Sequence, residues 1–185
     1  MRIILFIPVE SCVYDAMGWV VCVVHPLTAC YVLGVKMEIK ITDVVAQDLN
    51  DIRILAETVN EKHVAPLLNT EGKEALRVAL KADVERVLDK TVYQAVKASY
   101  NNKLVGYIAW RDGNYLGQLY VDSSYHGCGI ASKLVDEMKQ RCDSNKITVK
   151  ASIYALGFYQ KVGFKALSEE LNINGMRYVP MELEI

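Results

Sequence analysis

Between Thr91 and Asp122 the chain has room for little except an antiparallel meander. Thr91 to Ser99, Leu104 to Arg111 and Tyr115 to Asp122 are three stretches rich in apolar and aromatic residues. Only short polar turns part them, Tyr100-Asn101-Asn102-Lys103 and then Asp112-Gly113-Asn114. Connections that short join antiparallel neighbours, because a parallel return needs a crossover of a dozen or more residues. A sheet therefore sits at the centre of the fold, and every other element must extend it or pack on it.

The flanks supply those elements. Glu38 to Thr42 alternates as a short strand, and Leu49, Ile52, Leu55, Ala56 and Val59 recur at helical spacing. Asn69-Thr70 offers an N-cap for a second helix with Leu76, Leu80, Val84, Val87 and Leu88 as its apolar positions. Beyond the meander, Ile130, Leu134, Val135 and Met138 predict a helix running to about Cys142. Lys146 to Lys150 reads as a buried strand, and Tyr154 to Val162 as a short helix stopped by Gly163. Asn174-Gly175 is a strong hairpin signal before a last strand from Met176 to Ile185. The predicted fold is mixed α/β: a single domain with a central twisted mixed sheet flanked by helices.

The first 36 residues differ in character. Their only charges are Arg2, Glu10, Asp15 and Lys36, and Ala16 to Val35 carries none. Roughly 20 uncharged residues are long enough for a spanning helix, yet His25-Pro26 interrupts the stretch. Leu27-Thr28-Ala29-Cys30 also resembles a lipoprotein cleavage box, behind a leading region poor in basic residues. Three readings stay open: a dispensable or over-extended start, a membrane anchor and a lipoprotein signal. The organisation expected is an apolar extension over 1–36 and one functional domain over 37–185.

Composition excludes several partners. With 52% hydrophobic and 23% charged residues the chain is globular rather than disordered. Lys plus Arg number 21 against 22 Asp plus Glu, so no basic footprint for nucleic acid exists. The five cysteines, Cys12, Cys22, Cys30, Cys128 and Cys142, lack CxxC spacing. Neither a disulfide framework nor a zinc knuckle follows, and reduced thiols in a cytoplasm are expected. His25, His63 and His126 are scattered, so no metal site is expected either.

The chemistry is concentrated after the meander. In Tyr125-His126-Gly127-Cys128-Gly129-Ile130-Ala131-Ser132-Lys133, two glycines precede a predicted helix. They permit a sharp turn and close approach, while Ile130, Ala131 and Ser132 would present free N–H groups at the helix N-terminus. Such donors suit an anion, most naturally a pyrophosphate; a plain tight turn into a helix is the other reading. Neither the P-loop nor the dinucleotide fingerprint is present. Further on, Phe158-Tyr159 and Gly163-Phe164 flank the stop of the short helix. Taken alone, Tyr159 reads as an aromatic packed on the sheet.

Together these two features resemble the GNAT superfamily of N-acetyltransferases. The family's pyrophosphate signature, Gln/Arg-x-x-Gly-x-Gly/Ala, falls on His126 to Ala131, and its Phe-Tyr followed by Gly-Phe falls on Phe158-Tyr159 and Gly163-Phe164. The resemblance covers about Met37 to Ile185. It implies a GNAT-like sheet, acetyl-CoA as cosubstrate with no metal, and a transferred acetyl group. The acceptor implied is a primary amine of a small molecule or protein. By resemblance the fourth strand bulges and parts from the fifth, so that backbone groups of Leu119, Tyr120 and Val121 hold the pantetheine arm. His126, Gly127, Cys128, Gly129, Ile130, Ala131 and Ser132 would take the phosphates, with Ser152 and Tyr154 also on the cofactor. Tyr159 becomes the general acid that protonates the departing thiolate, since a phenol with a pKa near ~10 is a suitable donor. His126 replaces the usual Gln or Arg, and Lys150 stands where relatives often carry Asn.

His63 falls in the segment that walls the acceptor site in the family, and is read here as solvent-exposed. Neither the first two helices nor the last hairpin carries an acidic run or aromatic cage to name the acceptor. The competing function is a non-catalytic acetyl-CoA-binding or sensing module. Homodimers are common in the family. Location is expected to be cytoplasmic, or on the inner membrane facing the cytoplasm if Ala16 to Val35 is an anchor.

Overall fold

The two tight turns of the meander and the last hairpin form as their residues require. Asn101 and Asn102 both take positive φ, at 49° and 61°, as do Asn174 and Gly175 at 52° and 74°. Paired left-handed residues match the twist of the strands they join. The computed structural model describes residues 37–185 throughout and, before them, only the backbone of four strand pieces. Of those, Cys12–Tyr14 pairs with Val20–Cys22 and Tyr31–Val32 with Val35–Lys36, both antiparallel. The readings made on Ala16 to Val35 otherwise fall outside the described residues. The chain divides into two units, Met1–Met37 and Glu38–Ile185, and the second carries the whole functional sheet.

That second unit begins with β1 (Lys40–Asp43), α1 (Leu49–Val59) and α2 (Thr70–Arg86). The meander is β2 (Tyr93–Tyr100), β3 (Lys103–Arg111) and β4 (Tyr115–Val121). Next come α3 (Ile130–Arg141), β5 (Lys146–Ser152) and α4 (Leu156–Lys161). The strands β6 (Lys165–Ala166), β7 (Leu171–Ile173) and β8 (Met176–Glu184) complete it. The sheet order is β6-β8-β5-β4-β3-β2-β1, with β7 also pairing β8. Every pair is antiparallel except β4 with β5. This is the mixed sheet the sequence predicts.

Helices cover both faces. On one, Ile52, Leu55, Ala56 and Val59 of α1 meet Leu80 and Val84 of α2 and the inward residues Tyr93, Tyr107 and Ala109. The spacing i, i+3, i+4, i+7 on α1 explains why that stripe faces inward. On the other face, Ile130, Leu134, Val135 and Met138 of α3 pack with Val96, Ile108, Trp110, Leu116 and Ile147. Tyr159 of α4 and Phe164 belong to this second cluster. Asn69 caps α2 by accepting from the Gly72 amide at 2.8 Å, as its sequence position predicts.

Some boundaries differ from expectation. The helix predicted over Tyr154 to Val162 divides into a 3₁₀ turn, Ile153–Ala155, and then α4. After α1 the chain continues through a π-helical turn, Asn60–Val64, before a 3₁₀ turn, Ala65–Leu67. No hydrophobic period marks such a turn, which is why the sequence shows only the end of α1.

Candidate active site

The site is built on a seam in the sheet. β4 and β5 pair only at Tyr115 with Thr148 and Leu116 with Val149, although both strands run on for several residues. A bulge sits beside the parting point. Ala109 faces Gln118 and Trp110 faces Leu116, so Gly117 is an extra residue without a partner on β3. A bulge breaks the strict alternation of side chains. Leu116 thus stays in the α3-side core while Gln118, opposite Ala109, turns to the α1–α2 side.

Register also fixes which backbone groups face the gap. The Asp122 amide donates to the Val105 carbonyl at 2.9 Å. Alternation then ties the backbone of Tyr120 and Gln118 to β3 and directs that of Leu119 and Val121 towards the side where β5 has parted. Of the three strand residues that the sequence nominates, two present their backbone to the gap. Tyr120 does not, and contributes a side chain instead.

At the end of β4 the chain turns through Ser123–Tyr125 into the glycine loop. Gly127 and Gly129 take φ of 79° and 74°, and a Cβ at either would meet nothing within 4 Å. Their positive φ demands glycine, and the space above them is open. Gly129 is the N-cap of α3 and no side chain caps the helix. Since the first intrahelical bond here is Lys133 amide to Gly129 carbonyl, at 3.0 Å, the amides of Ile130, Ala131 and Ser132 have no intrahelical acceptor. The Cys128 amide is spent within the turn, on the Tyr125 carbonyl at 3.3 Å. Uncapped donors at the positive end of a 12-residue helix, beside open space, fit an anionic phosphate group.

Tyr159 lies on the α3–α4 side with 5% of its surface exposed. Its ring makes edge contacts with Phe158 at 5.3 Å and Phe164 at 5.2 Å. Burial, then the phenols of Tyr120 and Tyr115, pushes its own phenol well above the ordinary range. Tyr120 packs on the opposite face of the sheet. The sealed-off polar atoms without a partner are, among the described residues, Trp110 Nε1 and Gln118 Nε2.

A polar and aromatic patch lines the α1–α2 side of the same seam. Tyr107 and Tyr120 stack with centroids 5.6 Å apart, the Tyr107 hydroxyl donates to Gln118 Oε1, and Asn60 Nδ2 donates to the Tyr120 hydroxyl at 3.0 Å. Tyr93 donates to Asp83 Oδ1 of α2 at 3.3 Å. Burial is the main cause that raises the Asp83 carboxyl. The first helices and the last hairpin show no aromatic cage in their sequence; the rings come instead from the meander, brought together by strand register.

Where β4 and β5 end, a third group closes in. His63, in the π-helical turn, is half-buried rather than solvent-exposed, which corrects the sequence reading. His63 Nε2 shares a hydrogen bond with Ser123 Oγ at 2.8 Å, and its ring stacks on Tyr154 at 4.4 Å and 15°. Its ring centroid lies 5.6 Å from that of His126. His126 Nε2 donates to the Val121 carbonyl at 3.0 Å. Burial first, then His126 and Lys62, lowers the His63 imidazole. Nothing in the pattern around His63 could have shown this, because its partners lie some 60 or more residues away. Ser152 ends β5 opposite Tyr178, and Lys150 sets its Nζ 5.1 Å from the Tyr178 ring.

Cys142, half-buried, is a free thiol. Among the described residues no group of three or more His, Cys, Asp or Glu could hold a metal. Among them, too, no helix is long and apolar enough to cross a membrane.

Solved structures share this architecture. The GCN5-related N-acetyltransferase from Rhodopseudomonas palustris is 21% identical with a TM-score of 0.69, over 79% of this chain and 95% of that one. The PaiA N-acetyltransferase from Thermoplasma acidophilum, solved in complex with coenzyme A, is 20% identical with a TM-score of 0.64, over 80% and 100%. Apo YjaB from Escherichia coli is 21% identical with a TM-score of 0.60, over 80% and 97%. At these identities the likeness is one of fold. No curated protein matches the chain. Residues 57–185 match the acetyltransferase (GNAT) domain family. With that match spanning most of its length, and with the parted strands and glycine loop in place, the chain belongs to the GNAT family of acetyltransferases.

Proposed function

We propose that the protein transfers the acetyl group of acetyl-CoA to a primary amine by direct attack, with Tyr159 as general acid. The observation that carries this reading is the seam. β4 and β5 cease to pair after two residues, and beyond the end of β4 the chain leads into the glycine loop and the uncapped N-terminus of α3. A neighbour of this fold was solved with coenzyme A, which supports the cosubstrate.

In this reading the phosphates rest on the amides of Ile130, Ala131 and Ser132, with Gly127, Cys128 and Gly129 shaping the loop. The pantetheine arm extends the sheet along Leu119 and Val121 as an extra strand would. A backbone N–H there also polarises the thioester carbonyl and stabilises the oxyanion. The amine nitrogen forms a bond to the acetyl carbon, the carbon–sulfur bond breaks, and the departing thiolate takes the Tyr159 proton. The amine's own surplus proton leaves to water, since no base is identified. Because burial holds the Tyr159 phenol protonated, the acid is in its working form at neutral pH. Tyr120 and Gln118 line the acceptor side, and Ser152 and Tyr154 flank the cofactor. Dependence on acetyl-CoA favours a cytoplasmic location.

Calorimetric titration of acetyl-CoA into the chain should show saturable binding near one equivalent. Thiol release over an amine panel then separates a transferase from a module that only binds the cofactor. Cofactor binding without release on any amine would favour the binding module; no cofactor binding would remove the reading altogether.

A further inference from the structure

At the ends of β4 and β5 stands His63, a residue to which the proposed reaction gives no part. Ser123 lies two residues beyond the end of β4, and Tyr154 two beyond the end of β5. His63 touches both, through the 2.8 Å bond to Ser123 Oγ and the 4.4 Å stack on Tyr154. It therefore bridges the diverging strand ends at the point where a cofactor running from the seam to the glycine loop has to pass. His126 joins the bridge, 5.6 Å away ring to ring, and its Nε2 holds the Val121 carbonyl, one of the groups directed into the gap.

We propose that His63 is a further cofactor-binding residue, and that it takes up a proton when the diphosphate binds beside it. This rests on the reading that coenzyme A occupies the seam and the glycine loop. Partial burial disfavours a positive charge on His63, and the neighbouring His126 ring adds to that. Other groups face the pair. Lys62 stands on the same turn and repels a proton on His63. Ser123 and Tyr154 are neutral contacts. Asp122, at the head of the loop, is committed to the Ser124 amide at 2.9 Å and to Lys103 at 3.6 Å. No free anion is left among these groups to offset an imidazolium. A diphosphate on the α3 N-terminus supplies that anion, and protonating His63 then gives a charge-assisted contact where neutral imidazole gives a weaker one. Binding and protonation become linked, each favouring the other.

The test is calorimetry on the full chain with 3′-dephospho-CoA, whose diphosphate does not titrate near neutrality. Titrations at pH 7 in buffers of different ionisation enthalpy count protons bound per ligand. The expected result is net proton uptake and an affinity about 3- to 10-fold higher at pH 6 than at pH 8. Pantetheine, which lacks the diphosphate, should show no uptake. His63→Asn should still bind dephospho-CoA, more weakly, with the uptake reduced and the pH dependence flattened. His63→Gln, tested alongside with thermal melts of both variants, guards against a folding defect. Saturable binding by the wild type without uptake overturns the proposal while leaving the cofactor assignment intact, as does unchanged uptake in both variants. Failure of every ligand to bind overturns the cofactor assignment and the proposal with it.

Discussion

At the scale of single residues, the phenol of Tyr159 and the carboxyl of Asp83 are both displaced by burial, with different consequences. Tyr159 keeps its proton more firmly than an ordinary phenol. Replacement by Phe should lower kcat by roughly 10²–10⁴-fold and spare acetyl-CoA affinity; equal rates would remove the hydroxyl from the reaction. The same displacement means that kcat should not fall between about pH 7 and 9 through loss of this proton. Asp83 is raised mainly by burial, against the Tyr93 bond and the charges of Arg111 and Arg86. Its folded form binds a proton more tightly than the unfolded chain does. Its contribution to stability is therefore present at low pH and lost as pH rises through the carboxylate range. Asp83→Asn should be less dependent on pH than wild type between about pH 4 and 7, gaining relative to it as pH rises. Melting curves at both ends of that range give the comparison.

At the scale of elements, glycines separate two kinds of close packing. In α2 a Cβ on Gly72 would run into the Gly175 carbonyl at the β7–β8 turn, whereas a Cβ on Gly157 of α4 would meet nothing. Alanine in place of an ordinary helical glycine gains up to about 1 kcal/mol. Gly157→Ala should follow that rule, and Gly72→Ala should instead lose about 1–3 kcal/mol in denaturant unfolding. What the sequence could show divides along the same line. The meander, the three longer helices, the Asn69 cap and the Asn174-Gly175 turn are local events, written in periods and turn residues. The glycine loop was legible because it sits in a motif of contiguous residues. The His63 bridge, the Asp83–Tyr93 contact and the turning of Gln118 by a bulge depend on register between distant segments, which no local period records.

At the scale of the whole molecule, the described sheet and both helical layers lie after Met37. A fragment of residues 37–185 should therefore melt cooperatively and bind acetyl-CoA with the stoichiometry of the full chain; a fragment that is folded and inert would assign residues 1–36 a structural part. The seam has a further consequence. β1 to β4 and β5 to β8 form two plates, latched across the middle by two residue pairs and by the helices that span them. Such a joint leaves amides in the heart of the protein as open to exchange as those of an edge. Hydrogen exchange should find Leu119 and Val121 fast and Tyr120 slow in the free protein. Saturation with acetyl-CoA should slow the first two by at least roughly tenfold, so that the ligand acts as the rivet between the plates.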